Sequence, residues 1–331
     1  MNQKKIIIIT GQTATGKTSL ALKKARLENG ELISADSRQA YKHLDIITGK
    51  DLPLGSKFHK VEEKNGFDIG YYLINPEPIT HNPKLWLYDI VDPKQYFSSF
   101  DYESLAIPLI KQILDQGKTP IVVGGTYFYL YNLLYDIDTN VPPNWELRKE
   151  LDNKSVEQLQ QMLKKINPKL FESLNESDRQ NPRRLIRKIE ISKATEPPRL
   201  RRSETTGEPR RLNEITLKEK LGLKDLEVEY IGLRFKNKDS LHEAIKIRVK
   251  ERLKSGAIEE VKNLLKMGYK ETDPGLKTIG YREIIKYLKT HNPSPITHNQ
   301  MSQEWQIHEH QYAKRQYTFM KKDPNIKWKE V

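Results

Sequence analysis

The fold is decided by one stretch near the start of the chain, Ile6-Ile7-Ile8-Ile9-Thr10-Gly11-Gln12-Thr13-Ala14-Thr15-Gly16-Lys17-Thr18. Its first five residues predict a buried β-strand, and the helix-forming residues 19–25 follow it. The spacing G-x-x-x-x-G-K-[ST] between them predicts a phosphate-binding loop, whose backbone N–H groups would face a di- or triphosphate. A glycine-containing turn that binds nothing is the alternative, but strand, spacing and helix together favour the phosphate loop.

All eight residues of this loop are candidate diphosphate ligands. The two glycines allow a tight turn. Lys17 would neutralise terminal phosphate oxygens, and the hydroxyl of Thr18 would ligate Mg²⁺, the cofactor that we predict. The full set is Gly11, Gln12, Thr13, Ala14, Thr15, Gly16, Lys17 and Thr18.

Composition limits the possible classes of protein. The 331 residues suggest two lobes or a core with an insertion, and the absence of Cys excludes disulfides, thiolate catalysis and Cys-based zinc sites. No apolar run approaches the ~18 residues that cross a bilayer, and the first strand leaves no room for a signal peptide. We therefore expect a cytoplasmic protein with no membrane partner and, without a coiled-coil seam, a monomer. A net charge of +13 either serves solubility alone or attracts a large anionic partner.

Strand-like and helix-like segments alternate along the chain. This alternation predicts an α/β fold, a P-loop NTPase-like parallel sheet flanked by helices. An irregular excursion interrupts the pattern over residues 51–97. The predicted strands are 6–10, 31–35, 85–91, 120–123 and 228–233, and the predicted helices are 19–25, 104–116, 240–255, 258–267, 281–288 and 301–321.

A second region departs from the α/β pattern and predicts an inserted helical lobe. Amphipathic helices are expected over 145–151 and 156–166, with no convincing strand. Residues 179–211 hold eleven Lys or Arg against four Glu. Such a run is usually a solvated surface, but an Arg-rich one favours bidentate contacts to nucleic-acid phosphates. The predicted division is a core at 1–137, the lobe at 138–225 and a return to the core at 226–331.

Asp36 ends the second predicted strand, at the edge where an open α/β sheet places its ligand chemistry. On its own it could bind Mg²⁺ or act as a base. Asp36 lies within residues 33–46. This segment, the phosphate loop and four further motifs together resemble the bacterial tRNA dimethylallyltransferases. Those motifs are Gly124-Gly125-Thr126, Asn181-Pro182-Arg183-Arg184-Leu185, Lys277-Thr278-Ile279-Gly280-Tyr281-Arg282 and Ala313-Lys314-Arg315-Gln316-Tyr317-Thr318.

The resemblance implies a reaction and a set of site residues. A dimethylallyl group would move from dimethylallyl diphosphate to N6 of adenine 37 beside the tRNA anticodon, with release of pyrophosphate. Asp36 would accept the amine proton, Thr126 would contact the target nucleotide, and Arg248 would join Lys17 at the leaving group. The resemblance assigns the tRNA anticodon stem-loop to Asp36, Ser37, Arg38, Gln39, Thr126, Arg148, Arg183, Arg184, Leu185, Ile186, Arg187, Lys277, Thr278, Ile279, Gly280, Tyr281 and Arg282.

Other interpretations stay open at this stage. The same group could pass to free AMP, ADP or ATP, or the loop could serve a small-molecule kinase or an RNA-dependent ATPase. Arg148 could be a surface residue and Thr126 a helix cap. Residues 55–85 and 207–224 are longer than the family pattern. The chain also has Gln12 for Pro, Thr15 for Ser, Arg252 for Met, His310 for Arg and Phe319 for Trp.

Overall fold

The computed structural model describes residues 4–74, 82–135, 141–194, 216–289 and 296–331. Its strands are β1 (Lys4–Gly11), β2 (Gly30–Ser34), β3 (His59–Lys64), β4 (Phe67–Leu73), β5 (Lys84–Trp86), β6 (Thr119–Val123), β7 (Leu226–Arg234) and β8 (Lys327–Glu330). In this part of the chain they form one eight-stranded sheet of order β3-β4-β5-β2-β6-β1-β7-β8. The six strands from β5 to β8 run parallel, which confirms the predicted α/β fold.

The apolar run that opens the chain forms β1 at the middle of the parallel part, between β6 and β7. The side chains of Ile6, Ile7, Ile8 and Ile9 are completely buried, because helices cover both faces of the sheet. The strand ends at Gly11, and α1 (Lys17–Leu27) begins six residues later. The phosphate loop therefore lies at the carboxyl edge of the sheet.

The remaining helices of the sheet unit are α2 (Ser99–Asp115), α3 (Tyr127–Leu134), α9 (Leu217–Leu221), α10 (Lys238–Lys254), α11 (Ala257–Lys266), α12 (Tyr281–Lys289) and α13 (His298–Met320). The six predicted helices are all present. Helix α2 begins five residues before its predicted start, because Ser98 and Asp101 form a capping box there. The short elements α3 and β8 were not predicted.

The described part of residues 51–97 contains β3, β4 and β5; β5 overlaps the strand predicted at 85–91, whereas the β3–β4 hairpin shows that the prediction of an irregular excursion was wrong. Asn65 and Gly66, with φ of 55° and 78°, form a tight turn between β3 and β4. This hairpin pairs antiparallel with β5, which makes the sheet mixed rather than wholly parallel. The predicted strand at 85–91 ends at Trp86, because Leu87 and Asp89 have positive φ.

The second unit is the lobe, whose described residues are 141–194. They form only helices, as predicted: α4 (Trp145–Leu151), α5 (Val156–Ile166), α6 (Pro168–Ser173), α7 (Glu176–Arg179) and α8 (Pro182–Lys193). An Asn or Ser side chain caps each of these five helices: Asn144, Ser155, Asn167, Asn175 and Asn181. The lobe has its own apolar core, made by Leu151, Leu159, Leu163, Phe171, Leu185, Ile186 and Ile189.

The predicted end of the lobe at residue 225 was wrong. The chain divides into a sheet unit of residues 1–135 with 212–331 and a lobe of residues 136–211. Leu217 and Leu221 of α9 are buried in the core of the sheet unit, and Lys220 donates to the backbone oxygen of Tyr135 at 3.0 Å. The basic run at 199–211 lies outside the described residues.

Candidate active site

The phosphate loop has the backbone that its sequence predicts. Gly11 has φ of 143°, and a Cβ atom there would lie 2.2 Å from the backbone oxygen of Leu233 on the neighbouring strand β7. Gly16 has φ of 77°, in the left-handed region that favours glycine. Both positions therefore require glycine, one because of space and one because of conformation.

Side chains from distant segments fix this loop. Gln316 of α13 accepts a hydrogen bond from the Thr13 N–H at 3.0 Å and donates to the Gly125 oxygen at 2.7 Å. Gln12 accepts from the Phe235 N–H at 3.2 Å, so this departure from the family pattern connects the loop to the end of β7. The loop geometry is thus established by the tertiary structure before any ligand binds.

Two cations lie at the loop. Lys17 Nζ donates to the backbone oxygen of Gln12 at 2.7 Å, and Arg248 Nη1 of α10 donates to Thr13 Oγ1 at 2.7 Å. Burial and the nearby Arg248 guanidinium lower the pKa of Lys17 to about 8, against the opposing effect of Asp36. Positive charge is therefore concentrated where the anion is predicted to bind.

Asp36 and Thr126 come together at the ends of β2 and β6. Asp36 Oδ1 accepts from the Arg38 N–H at 2.9 Å, and Thr126 Oγ1 accepts from the Ser37 N–H at 3.0 Å. Thr126 occupies the N-cap position of α3, as the alternative interpretation expected, but its side chain makes no cap bond to the helix. Burial and the Asp36 charge raise the pKa of the nearby Tyr312 hydroxyl. These contacts hold the residue 36–38 turn in place.

One pocket of about 1360 Å³ unites the phosphate loop with the Asp36 turn. Its lining includes residues 13–18, Asp36, Gln39, Gly124, Gly125 and Arg248, all of which the sequence motifs had singled out. Tyr312 and Gln316 also line it, although no site role was predicted for them. A Tyr and a Gln four residues apart on one helix face are a weak signal, since exposed helices carry the same residues.

The segment from Lys277 to Arg282 includes buried structural residues and exposed cations. Tyr281 is completely buried, and its hydroxyl donates to Glu260 at 2.5 Å. Glu260 in turn accepts from the N–H groups of residues 45–47. Thr278 donates to the Gly275 oxygen, and Gly280 has φ of 93° with Ile47 and Trp305 against it. The side chains of Lys277 and Arg282 are exposed, and Ile279 is half-buried.

The residues predicted for RNA in the lobe also differ in exposure. Arg148 and Arg187 both donate to the buried carboxylate of Glu190, at 2.8 and 2.5 Å. Leu185 and Ile186 pack in the core of the lobe. Arg184 pairs with Asp178, and Arg183 is exposed. Arg183 is therefore the arginine of this segment best placed to contact a phosphate. Leu185 and Ile186 instead pack α8 against the core of the lobe.

The departures from the family pattern occupy different surroundings. Arg252 is buried and lines the pocket. His310 stacks on His242 with the ring centroids 4.1 Å apart, and burial together with His242 lowers the pKa of His310. Phe319 is 54% exposed. Among the three, Arg252 alone lies in the described wall of the pocket.

No group of three or more His, Cys, Asp or Glu side chains in the described ranges could hold a metal ion. Thr18 and Asp36 nevertheless line the same pocket, where they offer a hydroxyl and a carboxylate. Mg²⁺ commonly takes one or two protein oxygens and completes its shell with phosphates and water. The residues present therefore fit Mg²⁺ carried by a diphosphate and do not fit a metal held by protein alone.

The sheet order and the pocket define an α/β protein of the P-loop class. The family described as IPP transferase matches residues 66–323. Among curated relatives, tRNA dimethylallyltransferase 1 of Syntrophus aciditrophicus is 35% identical over 320 residues, with 96% of this chain and 90% of the relative covered. The tRNA dimethylallyltransferase of Acetivibrio thermocellus is 33% identical over 329 residues, with 98% and 90% covered.

Solved structures agree with this assignment. The full-length tRNA isopentenylpyrophosphate transferase of Bacillus halodurans aligns with a TM-score of 0.61 at 28% identity, over 99% of this chain and 90% of that one. A eukaryotic dimethylallyltransferase acting on tRNA shares the fold, with a TM-score of 0.67 at 23% identity over 99% and 74%. The chain belongs to the IPP transferase family, as its motifs predicted. None of its described helices is long and apolar enough to span a membrane.

Proposed function

We propose that this protein transfers a dimethylallyl group from dimethylallyl diphosphate to N6 of adenine 37 in tRNA. The observation that carries the proposal is the shared pocket, in which the phosphate loop and Arg248 lie with the carboxylate of Asp36. A diphosphate leaving group needs cations and N–H donors, and an attacking amine needs a proton acceptor. Membership of a family whose named relatives are tRNA dimethylallyltransferases supports the same reaction.

The leaving group would bind at the phosphate loop. Backbone N–H groups of the loop and the N-terminus of α1 would accept the diphosphate oxygens. Lys17 and Arg248 would stabilise the charge that develops on pyrophosphate as the C–O bond to the allyl group breaks. Thr18 would ligate a Mg²⁺ that accompanies the diphosphate, and that ion would supply further charge neutralisation.

Asp36 would act on the nucleophile. Its Oδ1 is already engaged by the Arg38 N–H, which fixes the carboxylate and leaves its second oxygen for the exocyclic amine. As N6 forms its bond to the allyl carbon, the amine proton passes to the carboxylate. Tyr312 lines the same pocket and Thr126 contacts the Ser37 N–H, so both would lie near the bound adenine. The target base must leave its stack to reach this pocket.

The RNA would be held by cations outside the pocket. Arg183 of the lobe and Lys277 and Arg282 of the sheet unit have exposed side chains suited to phosphate contacts. A net charge of +13 supports a polyanionic substrate rather than a free nucleotide.

The test is mass spectrometry of nucleosides from unmodified tRNA incubated with the protein, dimethylallyl diphosphate and Mg²⁺. Wild type should form N6-dimethylallyladenosine, and Asp36→Asn should slow its formation by about 10²–10⁴-fold while pyrophosphate still binds. Asp51→Asn is the matched control, because Asp51 lines the same pocket and its φ of 45° suits asparagine. Modification of AMP or ATP but not tRNA, or phosphate release from ATP, would replace this proposal with one of the alternatives.

A further inference from the structure

Arg252 is a buried cation in the wall of the pocket. It lies on α10 one turn after Arg248 and is 8% exposed. Among the described residues, its Nη2 atom is buried without any hydrogen-bond partner. A buried guanidinium nitrogen left without an acceptor is costly, so this position needs an explanation.

The protein neutralises Arg252 only weakly. The nearest carboxylate is Glu309 of α13, at 3.7 Å from Arg252 Nη1, which is an ion-pair distance too long for a hydrogen bond. Glu309 also accepts from the indole N–H of Trp305 at 3.3 Å. Burial and the Arg248 charge lower the pKa of Arg252 to about 9, although Glu309 and Asp51 oppose them. The Arg252 guanidinium therefore has one buried carboxylate at ion-pair distance and a second guanidinium, that of Arg248, beside it.

The two arginines converge on Gly49. A Cβ atom at Gly49 would lie 2.5 Å from Arg252 Nη2 and 3.1 Å from Arg248 Nη2. Gly49 also has φ of 67°, and it lines the same pocket. The absence of a side chain here lets both guanidinium groups approach one point, close to where Arg248 contacts Thr13 of the phosphate loop.

We propose that Arg252 is a second diphosphate-binding arginine, which acts with Arg248 as a clamp on the phosphate end of the allyl donor. The inference rests on the proposed function for the identity of that donor. An anion held by the phosphate loop and Arg248 would give the Arg252 guanidinium the close acceptor that Glu309, at 3.7 Å, does not provide. The planar guanidinium suits this role, because it offers several donors in a fixed geometry to phosphate oxygens.

The test is calorimetric titration of the full chain with inorganic pyrophosphate in the presence of Mg²⁺. Arg252→Met keeps much of the side-chain volume and removes the charge, and it should weaken pyrophosphate binding by about 10- to 100-fold, the range of a charged hydrogen bond. Lys250→Met is the matched control, because Lys250 is an exposed cation on the same helix. The control should change the dissociation constant by less than about two-fold.

Glu309→Gln separates this role from a purely structural one. If Arg252 serves only to pair with Glu309, both variants should lower the melting temperature and leave pyrophosphate affinity unchanged. If Arg252 clamps the anion, Glu309→Gln releases it and should keep or tighten pyrophosphate binding, whereas Arg252→Met weakens it. Unchanged affinity in Arg252→Met would overturn the inference.

The same titration separates failure of this inference from failure of the proposed function. Wild type that binds pyrophosphate and modifies tRNA, with an equally tight Arg252→Met, rejects the clamp and keeps the reaction. Wild type that neither binds pyrophosphate nor modifies tRNA rejects the reaction and the clamp together.

Discussion

The arginines of the lobe and those of the pocket are balanced by carboxylates to very different degrees. Arg148 and Arg187 converge on Glu190, which is 3% exposed and also accepts the Asn144 N–H at 2.5 Å. In the pocket, Arg248 bonds the Thr13 hydroxyl and Arg252 meets its carboxylate only at 3.7 Å. The lobe cluster has a carboxylate in direct hydrogen-bond contact with both arginines, whereas the carboxylate nearest Arg252 lies beyond hydrogen-bond distance.

This difference separates structural charges from binding charges. Burial raises the pKa of Glu190, but hydrogen bonds from Arg148 and Arg187 outweigh it and leave that pKa below its usual value. Ion pairs of this kind stabilise the folded lobe. The pKa values of Lys17 and Arg252 in the pocket are instead lowered, because burial and the Arg248 charge outweigh the opposing effect of the nearby carboxylates. Cations of this kind destabilise the empty protein and bind an external anion.

The largest expected effect comes from Lys17→Met. Loss of a cation aimed at the leaving group should slow tRNA prenylation by about 10³-fold, yet the free energy of unfolding at pH 7 should stay equal or rise. Lys24→Met is the matched control on the same helix, since Lys24 pairs with Glu229 at 2.8 Å. It should cost about 1 kcal/mol of stability and leave the transfer rate intact. Lys17→Met is thus expected to lower the transfer rate without lowering stability, and Lys24→Met is expected to lower stability without lowering the transfer rate.

The pH dependence of stability sharpens the same contrast. Lys17 has a folded pKa of about 8, below its usual value of 10.5, so the unfolded chain binds more protons between these values. The contribution of Lys17 to stability should therefore rise with pH across that window, on the order of 2 kcal/mol, and Lys17→Met should remove this contribution. Chemical denaturation at pH 7.5 and pH 10 measures it. A stability difference between wild type and Lys17→Met that falls from pH 7.5 to pH 10 would contradict the assigned direction.

Glu190→Gln should have the next largest effect, a loss of stability in the lobe. The variant leaves Arg148 and Arg187 facing each other without a counter-charge, which should cost about 2 kcal/mol. Hydrogen–deuterium exchange should speed up in peptides from 145–193 and stay unchanged in the sheet. Glu172→Gln is the control, because Glu172 is 71% exposed in the same lobe. Faster exchange across the sheet would show that the cluster stabilises more than the lobe.

Much of the fold was predictable because its signals are local. The phosphate loop, the fully buried strand before it and the lobe helices 145–151 and 156–166 each carry their own pattern. The hairpin at 59–73 was missed although Asn65-Gly66 is a strong turn signal. Every residue of β3 is exposed or half-buried, so no alternation of apolar residues marks that strand.

The charge balance of the site was not predictable, because it depends on distant contacts. Arg252 meets Glu309 across 57 positions of the chain, and Glu190 meets Arg148 across 42. The sequence analysis named both Arg148 and Arg252. Nothing in the sequence near either residue shows that Arg148 forms a close ion pair whereas Arg252 lies farther from its carboxylate. Packing of α10 against α13 decides the first case, and packing of α4 against α8 decides the second.

Arg183→Met should have the smallest effect, and it tests the exposed side of the lobe. Arg183 lies beside the Glu190 cluster in sequence, yet its side chain is exposed, so it should contribute to RNA binding rather than to folding. We expect the KM for tRNA to rise several-fold, the salt dependence of binding to fall by about one counterion, and pyrophosphate affinity and melting temperature to stay unchanged. Lys169→Met removes the same charge from α6 and serves as the control. Equal effects of the two variants would mean that the lobe attracts RNA through its overall charge, whereas a larger effect of Arg183→Met would place a specific phosphate contact at α8.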